Sequence, residues 1–227
     1  LNKKSKLYLC TFYSYFYKMG DYPGNKVSSQ WRAIINPKAG VGKCERDWPK
    51  ISQLLEDEGI GFDAVKTQSK GHAIQLAIES IRAGYRKFIA VGGDGTLNEI
   101  VNGFYLQEEV DIKGLTVGMV TVGTGNDWGK TYDLPKDYRA AVKLIKEGKS
   151  FVQDVGLVEF RDNGSRKKRY FINMAGLGFD ARVVEKVNQE KEKGKGGTFT
   201  YFRNLIYNLV NYKPKNFKMG IDGQEVK

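Results

Sequence analysis

Histidine, cysteine and proline are scarce in this chain: one, two and five among 227 residues. The lone histidine, His72, excludes multi-histidine metal sites and weighs against a histidine-centred triad. Cys10 and Cys44 are too few for a disulfide framework or a metal knuckle, which fits a reducing compartment. No apolar run approaches the roughly 20 residues that span a bilayer, so an integral membrane protein is not expected. Acid is also in deficit, with 26 Asp and Glu against 37 Lys and Arg, a net charge of +11. That balance favours anionic partners: nucleotide phosphates, nucleic acid or an acidic membrane face. The basic residues are scattered, and no helix-turn-helix, RNP or zinc signature accompanies them, so no nucleic-acid partner is expected. With 41% hydrophobic and 28% charged residues, the chain has the composition of a folded protein and the length for one large or two small domains.

Residues 1–30 read as an extension. Lys3, Lys4 and Lys6 flank an aromatic stretch, Leu7 to Tyr17, but no small-residue cleavage site follows. Met19 as the true start and an interfacial membrane anchor both remain open readings. From Trp31 a repeated pattern begins. Apolar strands are expected at 31–35, 62–66, 87–91 and 115–120. Helices are expected from about Asp47, with Ile51, Leu54 and Leu55 on one stripe, then through Ile74 to Ile81 and Leu97 to Phe104. This alternation predicts an α/β domain over 31–135: a parallel, Rossmann-like sheet covered by helices. Such sheets bind ligands at the carboxyl ends of their strands, here loops 36–43, 67–71, 92–96 and 121–127.

Residues 136–227 change character. A connecting helix over 137–147 leads into strand-like runs, Phe151–Val158 and Tyr170–Met174, with a hairpin signal at Asp162-Asn163-Gly164. A charged, Gly-rich stretch from Glu185 to Gly197 follows. Phe202, Leu205, Ile206, Leu209 and Val210 then mark an amphipathic helix. The final Gly220 to Lys227 reads as strand, turn and strand start, the first part of an incomplete β-sandwich domain.

Gly92-Gly93-Asp94-Gly95-Thr96 lies between an apolar strand and a helix. Glycines there let backbone amides approach a polyphosphate, and the helix start adds partial positive charge. Asp94 is placed to hold Mg²⁺ or orient a reacting hydroxyl. Thr96 with Glu99 also fits a capping box, a purely structural role. One strand later, Gly123-Thr124-Gly125-Asn126-Asp127 repeats the logic: Thr124 suits a phosphate, and Asp127 adds a second carboxylate. Two acids on neighbouring strand ends suit metal-assisted phosphoryl transfer, although Asn126-Asp127 also fits a helix cap. Asp94, as an exposed loop residue, is expected to matter little for folding.

Other patterns are discounted. Lys38 to Cys44 resembles a Walker A loop, but Pro37 stands where its first glycine belongs and Cys44 replaces the Ser or Thr. Gly176 to Ala181 matches a dinucleotide pattern without the acid expected about 20 residues on, and is read as close packing of a strand–helix corner. His72 is assigned a cap or surface role. Arg166-Lys167-Lys168-Arg169 reads first as a solvated turn, with contact to anionic lipid as the functional alternative.

With these loops on the page, the chain resembles the bacterial diacylglycerol kinase-like lipid kinases, related to sphingosine and ceramide kinases. The matching pieces are Asn36-Pro37-Lys38-Ala39-Gly40, Thr67 before Lys70-Gly71-His72-Ala73, Gly92 to Asn98, Gly123 to Asp127, Asp154-Val155-Gly156 and Asn173 to Ala181. The resemblance implies ATP in a cleft between an α/β domain and a β-sandwich. ATP contacts would fall on Asn36, Pro37, Lys38, Ala39, Gly40, Thr67, Gly92, Gly93, Asp94, Gly95, Thr96, Leu97, Asn98 and Thr124. Asp94 and Asp127 would position Mg²⁺ and phosphate, and Asp154 would shape the polar site beside the acceptor hydroxyl. The family's catalytic base and structural Mg²⁺ site would lie beyond Lys227. The implied protein is a cytoplasmic enzyme, peripherally associated with an anionic membrane, that phosphorylates a diacylglycerol-like lipid; a homodimer is also among the candidate partners. An NAD kinase-like phosphotransferase, or a non-catalytic nucleotide- or membrane-binding regulator, is the alternative.

Overall fold

The computed structural model describes residues 27–123, 125–162, 164–176, 183, 219–221 and 224–226. The described residues fall into two compact units that part between Gln153 and Asp154.

In the first unit the strands are β1 (Trp31–Ile35), β2 (Phe62–Lys66), β3 (Lys87–Gly92) and β4 (Thr116–Thr121). They form one parallel sheet in the order β2-β1-β3-β4. β1 and β3 are centred on Ala33-Ile34-Ile35 and Phe88-Ile89-Ala90-Val91, all fully buried, as strands with helices on both faces require. Parity divides the two faces. Ala33, Ile35, Ile89 and Val91 join Ile51, Leu54 and Leu55 of α1 (Ala39–Asp57) and Val142 of α5 (Tyr138–Glu147) in one core cluster. Phe88 points the other way and meets Phe104 of α3 (Asp94–Leu106) edge-on at 4.9 Å. α2 (His72–Arg82) packs against α3. Their contact is backbone-close, since a Cβ on Gly103 would lie 2.7 Å from Ala77 Cβ and 2.8 Å from the Ile74 carbonyl oxygen. A 3-10 turn at Ile112–Gly114 precedes β4, and the short α4 (Asp127–Thr131) follows it.

The α/β architecture with a four-stranded parallel sheet is therefore as the sequence predicts. The start of α1 differs from the expected onset at Asp47. Helical character begins at Ala39, interrupted by three left-handed residues, Gly40, Val41 and Gly42, before the helix runs on to Asp57.

In the second unit, β5 (Gly156–Asp162) and β6 (Ser165–Phe171) form an antiparallel hairpin in which Asp162 opposes Ser165. Gly164 supplies the positive φ that a two-residue hairpin turn needs. The hairpin is where the sequence put it, but its strands are not. Residues 151–155 are not strand, and β6 starts at Ser165 instead of Tyr170. The turn fixes the register, and pairing runs outward from it. Arg166 to Arg169 consequently lie within β6 as exposed strand residues, not in a turn. β7 (Met219–Ile221) and β8 (Gln224–Val226) pair antiparallel, as expected for the strand–turn–strand at Gly220. Residues 1–26 of the expected extension, the Glu185–Gly197 stretch, the helix around Phe202–Val210 and most of the Gly176–Ala181 pattern lie outside the described residues. Among the described residues, no helix is long and apolar enough to cross a membrane.

Candidate functional site

The sheet order reverses between β1 and β3, where crevices form at the carboxyl ends of parallel strands. Asn36 follows β1 and Gly92 closes β3. The two loops are tied directly, because Asn36 Nδ2 donates to Thr96 Oγ1 at 3.2 Å. Asn36 Oδ1 accepts from the Lys38 amide at 3.1 Å, and its carbonyl accepts from the Ala39 amide at 3.0 Å. One side chain thus folds the turn 36–39 and fastens it to α3.

Glycines bring these loops together. A Cβ on Gly40 would sit 2.4 Å from the Val122 carbonyl oxygen, and one on Gly123 would sit 2.6 Å from Gly93 Cα. Gly40 is also left-handed, at φ +61°. The loops after β1, β3 and β4 therefore touch backbone to backbone. Gly95 differs: nothing lies within 4 Å of the place its Cβ would take. Gly93 and Gly123 serve close packing, and Gly95 alone of these three faces open space.

Asp94 is the first residue of α3. Its Oδ2 accepts from the Asp127 amide at 3.0 Å and its Oδ1 from the Trp128 amide at 3.1 Å. It caps the N-terminus of α4 across 33 residues of sequence, which corrects the expectation that this residue is uninvolved in folding. Asp127 Oδ1 accepts from Lys130 Nζ at 2.9 Å. The Oδ2 atoms of Asp94 and Asp127 both lie within 3.6 Å of the point where a Cβ on Gly125 would sit. The two carboxylates the sequence singled out do share one corner.

The capping box does not form. The N-cap of α3 is Gly93, and the Thr96 amide bonds to the Gly93 carbonyl at 2.9 Å. Glu99 turns away to α2, where Oε1 accepts from the Gly71 amide at 2.9 Å and Oε2 from the Ala73 amide at 3.3 Å. The local pattern was right, but a neighbouring helix with unpaired first-turn amides competes for the same carboxylate.

The remaining candidates sort by environment. Thr67 continues β2, its amide bonded to the Ile35 carbonyl at 2.8 Å. His72 has the surface role expected of it, with Nδ1 accepting from the Gln68 amide at 3.0 Å. The Pro37 carbonyl accepts from Glu45, and Lys38 is exposed. Leu97 has its side chain in the core, 1% exposed. Asn98 Oδ1 and Asn126 Oδ1 are buried without a hydrogen-bond partner among the described residues. Asp154 is exposed and belongs to the second unit. Thr124 lies outside the described residues. Sequence reading missed Glu99 as a cross-helix cap; Asn126 is the N-cap of α4, as the cap reading expects, but it is left-handed and its Nδ2 donates to the Gly123 carbonyl at 2.8 Å. Cys44 lies beneath the site, donating to the Val91 carbonyl at 3.6 Å, and burial pushes its thiol up to about 11. Among the described residues, no cluster of three or more His, Cys, Asp or Glu could hold a metal ion.

A parallel sheet covered by helices, with glycine loops, helix starts and two carboxylates at its carboxyl edge, places the chain in the class of α/β proteins that carry their sites on such loops. Residues 30–158 match the diacylglycerol kinase catalytic domain, and the chain belongs to that family. It is 34% identical over 193 residues to a diacylglycerol kinase of Staphylococcus saprophyticus and 32% over 195 residues to one of Staphylococcus carnosus. Each match covers 85% of this chain and 59% of the relative, so the chain spans about three fifths of their length. A solved diacylglycerol kinase structure from Bacillus anthracis aligns with 60% of this chain and 47% of its own at a TM-score of 0.48 and 28% identity.

Proposed function

We propose that this chain carries the nucleotide site of an ATP-dependent lipid kinase, which moves a γ-phosphate to the hydroxyl of a diacylglycerol-like acceptor. The observation that carries the reading is the convergence of three glycine loops at the switch point, with Asp94 and Asp127 sharing a corner beside the open Gly95. The left-handed run Gly40-Val41-Gly42 adds backbone of the kind that cradles anions.

The carboxylates fit a divalent cation of limited protein coordination. Both oxygens of Asp94 already accept amides, so Asp94 and Asp127 would hold Mg²⁺ with few protein ligands, the usual habit of this ion. It would neutralise charge on the phosphates. The chain's own part is positioning: Asn36 and Thr96 hold the first loop against α3, and Asp94 fixes the loop that ends in Asp127. Asp154 would serve the acceptor side. The exposed β6 residues Arg166, Lys167, Lys168 and Arg169 would meet anionic headgroups, which favours peripheral membrane association.

Calorimetric titration of the chain with ATP and Mg²⁺, together with transfer of labelled phosphate to diacylglycerol in mixed micelles by the active protein, tests this. Saturable ATP binding that is weakened in Gly95→Val is the expected result. Absence of ATP binding overturns the nucleotide reading. Binding with transfer to water or to NAD but never to lipid overturns the acceptor.

A further inference from the structure

Helix α3 carries two acids, and each ends on the first turn of a different neighbour. Asp94 holds α4, and Glu99 holds α2. The second contact has no counterpart in the reading above. α2 begins at Gly71, whose φ of +83° and missing side chain give it no cap of its own. No acid stands in its first turn. Its orphaned amides would otherwise need water or a ligand. Glu99 supplies both carboxylate oxygens to them, and an anion is also the favoured charge at a helix start. Four residues further along each helix the pair is locked again, where Gly103 lets α3 approach Ala77 and Ile74. α2 is thus held at two points on one side.

The segment immediately before this cap is loop 67–71. Its start is fixed by the Thr67 amide on the Ile35 carbonyl, and the Gln68 amide ties that start across to His72 Nδ1 of α2. His72 lies between the two amides that Glu99 binds. The loop's position at the carboxyl edge of the sheet therefore depends on a carboxylate that comes from α3, 28 residues away for Gly71 and 26 for Ala73.

We infer that Glu99 is a positioning residue that sets loop 67–71 against the nucleotide loop of α3, so that Thr67 is delivered to the same ligand as Asp94 and Gly95. This rests on the nucleotide site proposed above. Glu99 touches no ligand itself; it acts through the Gly71 and Ala73 amides. The design couples the loops through α3. Whatever moves the start of α3 moves both flanking loops with it.

Three proteins are compared: the chain itself, Glu99→Gln and Glu99→Ala. The readouts are amide hydrogen exchange at residues 67–73 and affinity for Mg²⁺ with ATP. In Glu99→Ala, exchange at Gly71 and Ala73 should rise at least about tenfold, and ATP affinity should fall about tenfold, the scale of one charge-assisted hydrogen bond. Glu99→Gln keeps an acceptor at nearly the same shape, so it should recover part of both losses. Exchange in β1 and β3 should not change in either variant. Faster exchange at 67–73 with unaltered ATP affinity overturns the positioning role and leaves a cap alone. Unaltered exchange overturns the contact. If Glu99→Ala fails to fold, Glu99→Gln carries the same comparison. A parent chain that binds no ATP brings down the nucleotide reading and this inference together, whereas a binding parent with indifferent variants brings down only this one.

Discussion

The two edges of the parallel sheet are built by different means. At the amino edge, side chains hold side chains. The Arg32 guanidinium stacks on Tyr85 at 3.9 Å from the ring centre, Tyr85 donates to Asp63, and Lys87 lies over Trp31 at 5.9 Å. Trp31 and Lys87 also line a shallow cleft of about 270 Å³, together with Gly59 and Gly61 beyond α1 and Lys146 and Gly148 at the end of α5. At the carboxyl edge, backbone meets backbone through Gly40, Gly93 and Gly123, and the two acids on α3 take backbone amides, not basic side chains. Side-chain pairs adapt to substitution. A backbone-built edge does not, and it leaves N–H groups and open space, as at Gly95, for a ligand.

The largest effects should come from filling the glycine contacts. Gly40→Ala places a Cβ 2.4 Å from the Val122 carbonyl oxygen, and Gly123→Ala places one 2.5 Å from Asn126 Oδ1 and 2.6 Å from Gly93 Cα, so each meets backbone that cannot swing away. Each should cost on the order of 3 kcal/mol by urea denaturation. Gly95→Ala meets nothing within 4 Å and gains helix propensity of up to about 1 kcal/mol. It should melt no lower than the parent while weakening ATP binding. Equal destabilisation by all three would erase the distinction between packing glycines and the ligand-facing one.

Asp94→Asn comes next. An amide oxygen replaces only one of the two acceptors serving Asp127 and Trp128, and its NH₂ then opposes the other amide. A loss of about 1–2 kcal/mol is expected. If Asp94 also positions metal and phosphate, transfer by the active protein should fall on the order of 10²-fold. Stability and rate measured on one preparation separate the two roles, and a rate loss that vanishes once the unfolded fraction is subtracted would leave only the cap.

What the sequence conceals at the carboxyl edge has a common cause. Strands such as Trp31–Ile35 and Lys87–Gly92 announce themselves, because burial on both faces demands continuous apolar residues. The Gly92–Thr96 and Gly123–Asp127 loops stand out for the same local reason. The cap from Asp94 to α4 does not, since its partners lie 33 and 34 residues away. Glu99 is misread for the opposite reason: a nearby Thr96 satisfies the local capping grammar, and only the packing of α2 on α3 reveals the better partner. Val41, β-branched at φ +58° between two left-handed glycines, has no local signature at all. In the second unit, the hairpin turn was legible, whereas the strand limits follow from register counted outward from that turn.

Alkaline titration probes both edges at once. Burial first, then nearby acids, raise Cys44 from 9.0 to about 11, and the hydrogen bond to Asp63, then burial, raise Tyr85 above 10.0. Both groups are neutral when protonated, so a raised value means that folding favours the protonated form. Their contribution is complete below pH 9 and is lost as pH rises through their folded-state values. Stability should therefore fall above pH 9, with Cys44→Ala removing the carboxyl-edge share and Tyr85→Phe the amino-edge share. At pH 8, Cys44 should react with iodoacetamide only as fast as the chain opens. Rapid labelling of the folded chain would contradict its burial.

The smallest effect is expected from the one ion pair that ties β2 to α1 beside the site. Lys66 Nζ lies 2.6 Å from Glu45 Oε1, yet both side chains are about half exposed. Short distance alone says little here. Water screens the attraction, and fixing two long side chains offsets most of what remains, so exposed pairs contribute about 0–1 kcal/mol. Lys66→Ala should shift stability by less than about 0.5 kcal/mol, and raising sodium chloride should change the parent and the variant alike. ATP affinity should also hold, because loop 67–71 is fastened by backbone bonds and Glu99, not by this bridge. A loss above about 1 kcal/mol, or a salt-dependent loss of ATP binding, would mean that side-chain pairing shapes the carboxyl edge after all, and the contrast with the amino edge would fail where the two modes of construction come closest together.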